Sequence, residues 1–144
     1  MSAACLQALE YDGEGYRILL ESDSWRVAHL NFLEKLHPNQ NDSMERHLET
    51  DEVFILVAGQ GLLIIGVGED EIERLDFQPL KPGAVYNVPR RTWHTLILTR
   101  DGRVVIVENR DTGEANSQFC ALPPRLREEL RDVARKSMPG CWDK

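Results

Sequence analysis

Two glutamates and two histidines in this sequence have types and spacing that could carry chemistry. Glu45 and His47 are separated by one residue, so in a β-strand both side chains point to the same face. Glu52 opens the next apolar run, and His94 lies among apolar residues in a later one. If these faces line the interior of a barrel, two carboxylates and two imidazoles meet at one depth.

A buried group of this composition needs a neutralising partner, because carboxylates are costly to bury alone. A divalent cation would satisfy it, since imidazole nitrogen and carboxylate oxygen together suit Mn, Fe, Ni or Zn. The alternative is a metal-free site in which Glu45 pairs with an arginine such as Arg91. If Glu45 or Glu52 is not a ligand, burial would raise its pKa and suit it to general-base catalysis.

The elements that would position these residues are short strands broken by turns. Apolar or alternating runs occupy 25–36, 44–47, 52–58, 62–67, 72–80, 84–88, 93–99 and 103–109. Turn signals such as Gly59-Gln60-Gly61 and Asp101-Gly102 separate them. About eight strands with no helix between them predict an antiparallel barrel or double sheet rather than βαβ units.

The end of the sequence changes character after two consecutive prolines. Leu126, Leu130, Val133 and Ala134 recur at helical spacing, with charged residues on the other face. This pattern predicts one amphipathic helix over about 123–137, packed outside the β core or against a partner subunit.

Two segments of the sequence resemble the motifs of the cupin superfamily. His47-x4-Glu52-x6-Gly59 resembles the second half of the first cupin motif, and residues 82–94 resemble the second motif, which ends in a metal-binding histidine. The chain is similar to a small single-domain bacterial cupin. The resemblance implies an all-β fold, an antiparallel double-stranded β-helix (a jelly-roll-like barrel) with a C-terminal α-helix. The single domain would span 1–144, with its core at about 25–110.

The resemblance also implies a ligand set. His47, Glu52 and His94 carry over as metal ligands, and Glu45 stands where the family pattern has its first histidine. A site of two histidines and two glutamates is chemically reasonable, because a carboxylate also binds metals.

Further residues are candidates for binding a small-molecule ligand at the mouth of the barrel. We predict that Tyr86, Arg91 and Glu108 do so, since arginine binds carboxylates through two parallel hydrogen bonds. Glu108 and Arg110 could instead form a surface pair. Trp93 is expected to pack between layers or at a dimer contact, pointing away from the site.

Two functions fit these observations. The first is a metal-dependent enzyme that acts on a small polar or carboxylate-bearing metabolite, as a lyase, isomerase or dioxygenase, with Glu45 or Glu52 as catalytic residues. The second is a non-catalytic cupin that binds a small molecule without a metal. The sequence contains no GxSxG, GxxxxGK[ST] or HExxH motif, which leaves serine hydrolases, P-loop enzymes and zincins without support.

Charge and patterning restrict the partners. The 144 residues carry a formal net charge of −7, which argues against binding nucleic acid or anionic membranes through a positive field. Apolar residues on both faces of 52–58 predict a homodimer. The longest apolar run, 53–58, is too short to cross a bilayer. An odd number of cysteines, Cys5, Cys120 and Cys141, with no CxxC pair, predicts a cytoplasmic protein without a disulfide framework.

Overall fold

The computed structural model describes residues 6–142 and consists of two five-stranded antiparallel sheets and a C-terminal helix. The elements are β1 (Tyr16–Glu21), β2 (Trp25–Asn31), β3 (Ser43–His47), β4 (Glu52–Ala58), β5 (Gly61–Val67), β6 (Arg74–Pro79), β7 (Tyr86–Val88), β8 (Trp93–Leu98), β9 (Arg103–Asn109), β10 (Ser117–Ala121) and α1 (Pro124–Ser137). The first sheet has the order β1-β2-β9-β4-β7 and the second β10-β3-β8-β5-β6. The prediction of an all-β fold with a C-terminal helix is confirmed.

The strands differ from the prediction mainly at the edges. β1 and β10, which begin at Tyr16 and Ser117, lie outside the predicted core and form one edge of each sheet. The run at 25–36 ends as a strand at Asn31, and a 3₁₀ turn follows at Glu34–Leu36. The apolar pattern continues through that turn because Leu36 still packs against the interior.

The two sheets enclose the first hydrophobic core. Alternation along β4 turns Phe54 and Leu56 inward, where they meet Val104 and Ile106 of β9 and, from the second sheet, Leu96 of β8. These side chains are buried. They form the apolar interior between the two sheets.

A second core lies between α1 and the outer face of the second sheet. The helix begins with a proline in its first turn, where no backbone donor is needed. It buries Leu126, Leu130 and Ala134 against residues such as Ile64 and Trp93. Trp93 therefore packs on the opposite side of β8 from His94, and its Nε1 donates to the carbonyl of Glu69 over 3.0 Å.

Leu130→Ala is expected to destabilise the protein by about 2–5 kcal/mol, because the side chain is fully buried and its removal leaves a cavity. The measurement is the free energy of unfolding in urea. Val85→Ala is the control, since Val85 is 66% exposed, and it should change stability by less than about 0.5 kcal/mol. Equal effects of the two variants would show that α1 is not part of the cooperative fold.

Helix α1 covers the outer face of the second sheet and not that of the first. On β4, Val57 is 52% exposed, while Val53 and Ile55 are half-buried. The homodimer stays a prediction, and we expect light scattering to give twice the chain mass at micromolar concentration. A monomeric mass there would contradict it. Val57→Lys should favour the monomer, whereas Val85→Lys, placed on the neighbouring loop, should not.

The structure also describes the helices and two of the three cysteines. Within residues 6–142, no helix has the length and apolar character that crossing a membrane requires. Cys120 and Cys141 are free thiols, and Cys5 lies outside the described residues.

Candidate metal centre

The four residues singled out by spacing come together on the inner wall of the barrel. β3 carries Glu45 and His47, with Glu45 directly opposite His94 of β8. Glu52 reaches the same point from the start of β4, in the facing sheet. One possible ligand atom from each of the four lies within 4.8 Å of all the others. The cluster could hold a metal ion.

Glu52 is the centre of this cluster. Its Oε1 lies 3.0 Å from Nε2 of His47 and 2.8 Å from Nε2 of His94, and all three side chains are buried. Glu45 stands apart from them. Its Oε1 is 3.6 Å from Nε2 of His47, and its side chain is 41% exposed. Glu45 is therefore the carboxylate of the cluster that a molecule entering the barrel can reach.

The hydrogen bonds fix the orientation of His94. Its Nδ1 lies 2.9 Å from the carbonyl oxygen of Thr92, which only accepts, so Nδ1 carries a proton. Nε2 faces Glu52 Oε1, a second acceptor. Between Nε2 and the carboxyl oxygen there must therefore be a proton, carried by either group, or a metal ion that both bind. Histidines that bind metals commonly donate their other ring nitrogen to a backbone carbonyl in this way.

His47 is oriented by a different partner. Its Nδ1 lies 2.8 Å from Oγ of Ser117, which comes from the edge strand β10. A hydroxyl both donates and accepts, so this contact is compatible with a neutral or a protonated ring. Ser117 was not identified from the sequence, because only the pairing of β10 with β3 brings it beside His47.

The ionisation of the cluster follows from its contacts. Burial acts to raise the pKa of Glu52, but the hydrogen bonds from His47 and His94 outweigh it and hold the pKa at about 2. Burial lowers the pKa of each imidazole, and the hydrogen bond to Glu52 reverses this, so both imidazole pKa values are raised. A metal ion would take the place of any proton on the ring nitrogens that face Glu52.

The donor set fits a divalent cation. Two imidazole nitrogens and two carboxylate oxygens suit Mn, Fe, Ni or Zn, and nothing in the set selects one of them. The carbonyl behind His94 supplies the supporting hydrogen bond that such sites require.

The cluster opens onto a cavity of about 430 Å³ between the two sheets. Its polar lining includes the four cluster residues together with Tyr16, Arg26 and Glu108, and further polar side chains at Lys35, Ser43, Thr95, Thr112, Glu114 and Ser117. Its apolar wall is formed mainly by Leu30, Leu33, Leu36, Phe54, Leu96 and Ile106. A volume of this size accommodates a small metabolite.

Glu108 is the predicted ligand-binding residue that lines this cavity. Its Oε2 accepts from the Tyr16 hydroxyl at 2.7 Å and from Arg26 at 2.8 Å and 3.1 Å. Val107 pairs with Val53, so the same register places Glu108 beside Glu52 on the inward face. Burial, and then the charge of Glu52, raises the pKa of Glu108 against the opposing effects of its two partners.

Tyr16 and Arg26 are site residues that sequence reasoning missed. Arg26 lies within the predicted strand 25–36, two residues before the buried Ala28, so the alternation of that strand could have placed it inside. β2 pairs with β9 so that Arg26 is opposite Glu108. For Tyr16 the sequence contains no comparable signal, since it begins an edge strand.

Tyr86 and Arg91, the other predicted ligand-binding residues, are not among those lining the cavity. The Tyr86 hydroxyl accepts from the backbone N–H of Lys81 at 2.9 Å, which turns it away from the site. Arg91 is exposed with a φ of 67°, and its backbone N–H donates to the carbonyl of His47 at 2.7 Å. The tight turn before β8 directs the Arg91 side chain to solvent. Arg110 pairs on the surface with Glu21, at 3.1 Å.

Comparisons with family models and with curated protein sequences found no match. Solved structures do match. Pac13 of Streptomyces, a nucleoside dehydratase, superposes with a TM-score of 0.53 at 11% identity, over 79% of this chain and 86% of its own. KdgF from Halomonas gives 0.50 at 14% identity, over 76% and 91%. A cupin-2 domain protein from Shewanella frigidimarina gives 0.49 at 20%, over 69% and 85%.

This chain has a cupin-type fold. The likeness confirms the predicted jelly-roll-like barrel. At these identities it concerns the cupin architecture alone, so the chemistry of the site rests on the cluster and the cavity.

Proposed function

We propose that this cupin-type protein is a metal-dependent enzyme that acts on a small carboxylate-bearing metabolite within the barrel, as a lyase, isomerase or dioxygenase. One observation carries the proposal. Four ligand atoms lie within 4.8 Å of one another on the wall of a cavity of about 430 Å³. Pac13 is itself a dehydratase, which is lyase chemistry in a barrel of this type.

The cluster residues are proposed to have two roles, metal binding and proton transfer. A bound divalent cation supplies a Lewis acid that polarises a carbonyl or carboxylate oxygen. His47, Glu52 and His94, all buried, hold it. Glu45 is the accessible carboxylate, so it either completes the ligand set or takes a proton from the substrate. Glu52 is buried and its Oε1 lies against two imidazoles, whereas Glu45 is accessible, which makes Glu45 the better general base of the two.

A metal-free binding protein is the second candidate, and one observation favours it. The hydrogen bonds of His47 and His94 to Glu52 satisfy the buried carboxylate without any ion. The cavity would then bind a small molecule without transforming it. An ion pair between Glu45 and Arg91 would also have favoured this candidate, but none joins them among residues 6–142.

Elemental analysis of the purified protein separates the two candidates. The enzyme proposal expects about one divalent ion per chain after gel filtration, and the same stoichiometry when stripped protein is titrated with Mn, Ni or Zn in a calorimeter. A protein that purifies without metal and gives no heat with any of these ions would be the binding protein. A thermal-shift screen of organic acids on the loaded protein then identifies the ligand class.

A further inference from the structure

The cavity has a chemical asymmetry that bears on its ligand. The clustered charged groups lie where Glu52 begins β4 and Glu108 ends β9, while further along these strands the lining is formed by buried apolar side chains including Phe54, Leu96 and Ile106. Leu30 and Leu33 continue this apolar surface, where both are half-buried. These side chains offer no hydrogen bonds. A polyhydroxylated ligand would lose its water there without compensation, whereas a hydrocarbon body would gain by leaving water.

The mouth of the cavity extends the apolar surface outward. Phe119 on β10 is 58% exposed, and Tyr16 on β1 is 40% exposed. Both line the cavity, and their strands are the edges of the two sheets. Phe119 pairs in register with Glu45, so an aromatic ring stands directly beside the accessible carboxylate of the cluster.

The charges of the lining limit the head group. Four glutamates line the cavity, at positions 45, 52, 108 and 114, against Arg26 and Lys35. A bound divalent ion would add two positive charges and bring this total to zero. The site then has no excess positive charge, so a ligand with one carboxylate would add less uncompensated negative charge than a polycarboxylate or a phosphorylated molecule.

We propose that the cavity binds a monocarboxylic acid with an apolar body, its carboxylate at the His/Glu cluster and its hydrocarbon part on the apolar lining that includes Phe119. This deepens the proposed function, on which it rests for the role of the cluster. The proposed ligand differs from a sugar, because the surface that its body would contact is mainly aliphatic and aromatic.

The test is calorimetric titration with probes of equal charge, on metal-loaded and metal-stripped protein. Butyrate, hexanoate and octanoate form the series, and galacturonate is the polyhydroxylated comparison. Each added methylene should tighten binding about threefold to fourfold, with one molecule bound per chain. Octanoate should bind at least about tenfold more tightly than galacturonate. A flat series, or galacturonate binding as tightly as octanoate, would overturn the proposal.

The two protein forms separate this inference from the proposed function. If a metal binds but the affinity for the carboxylates does not rise with chain length, the inference is wrong and the proposed function stands. If the affinity rises with chain length in a protein that binds no metal, the inference is supported and the proposed function is wrong.

A rim variant locates the binding site. Phe119→Ser should weaken octanoate binding several-fold and leave the metal titration unchanged, since Phe119 offers no ligand atom. Leu20→Ser is the matched control: Leu20 is 38% exposed on the other edge strand and does not line the cavity. Equal losses in both variants would show that octanoate binds elsewhere and would overturn the proposal.

Discussion

Glu52→Gln is expected to lower the affinity for divalent metal by at least about 100-fold. Among the residues that the structure describes, Glu52 is the carboxylate that hydrogen-bonds to both imidazoles, through one oxygen at 3.0 Å and 2.8 Å. Glutamine keeps the size of the side chain and removes its charge, so the two rings lose the anion that balances a bound cation. Titration calorimetry of stripped protein with Mn, Ni or Zn measures the effect.

Glu114→Gln is the matched control for this experiment. Glu114 also lines the cavity, but it is exposed and is not one of the four clustered residues. Its replacement should change metal affinity less than about threefold, as expected for a screened surface charge. Thermal melting should show both variants folded. If Glu52→Gln keeps wild-type affinity, the cluster is not the metal site.

Arg26→Met is expected to destabilise the protein by about 3 kcal/mol, because the buried carboxyl group of Glu108 then either stays charged without a cation or has to take up a proton. The two side chains are 13% and 4% exposed, and two guanidinium nitrogens donate to the same carboxylate oxygen. Methionine retains much of the volume of the arginine stem. Urea unfolding at neutral pH gives the change in free energy.

Two further variants show whether the loss comes from an unpaired charge. Arg110→Met breaks the exposed pair with Glu21, whose side chains are 54% and 44% exposed, and should cost less than about 1 kcal/mol. Adding Glu108→Leu to Arg26→Met should recover most of the stability, because neither charge then remains buried. Equal effects of Arg26→Met and Arg110→Met would contradict this account of the Arg26–Glu108 pair.

Most of the His/Glu cluster could be predicted from the sequence, because Glu45, His47 and Glu52 lie close together along the chain. Glu45 and His47 share a face by strand alternation, and the His47-x4-Glu52-x6-Gly59 segment resembles a known motif. The C-terminal helix could be predicted for the same reason, since its apolar residues repeat within one element. Local periodicity also places Trp93 and His94 on opposite sides of their strand.

The rest of the cavity could not be predicted, because long-range pairing creates it. Arg26 and Glu108 are 82 residues apart and meet only through the register of β2 on β9. β10, with Ser117 and Phe119, is a short edge strand with little alternation, so its place beside β3 follows from the fold and not from its own residues. Arg91, predicted at the mouth of the barrel, lies instead in a tight turn with a positive φ, which its place in the sequence does not reveal, and it is not among the residues lining the cavity.

Strand β8 contributes side chains to both sides of its sheet: His94 faces the cavity and Trp93 packs in the core beneath the helix. The helix-side core is built from other side chains, so we expect the protein to fold without a bound ion. Because Trp93 adjoins His94 in the chain, we also expect the emission of its indole to change when an ion binds at the cluster.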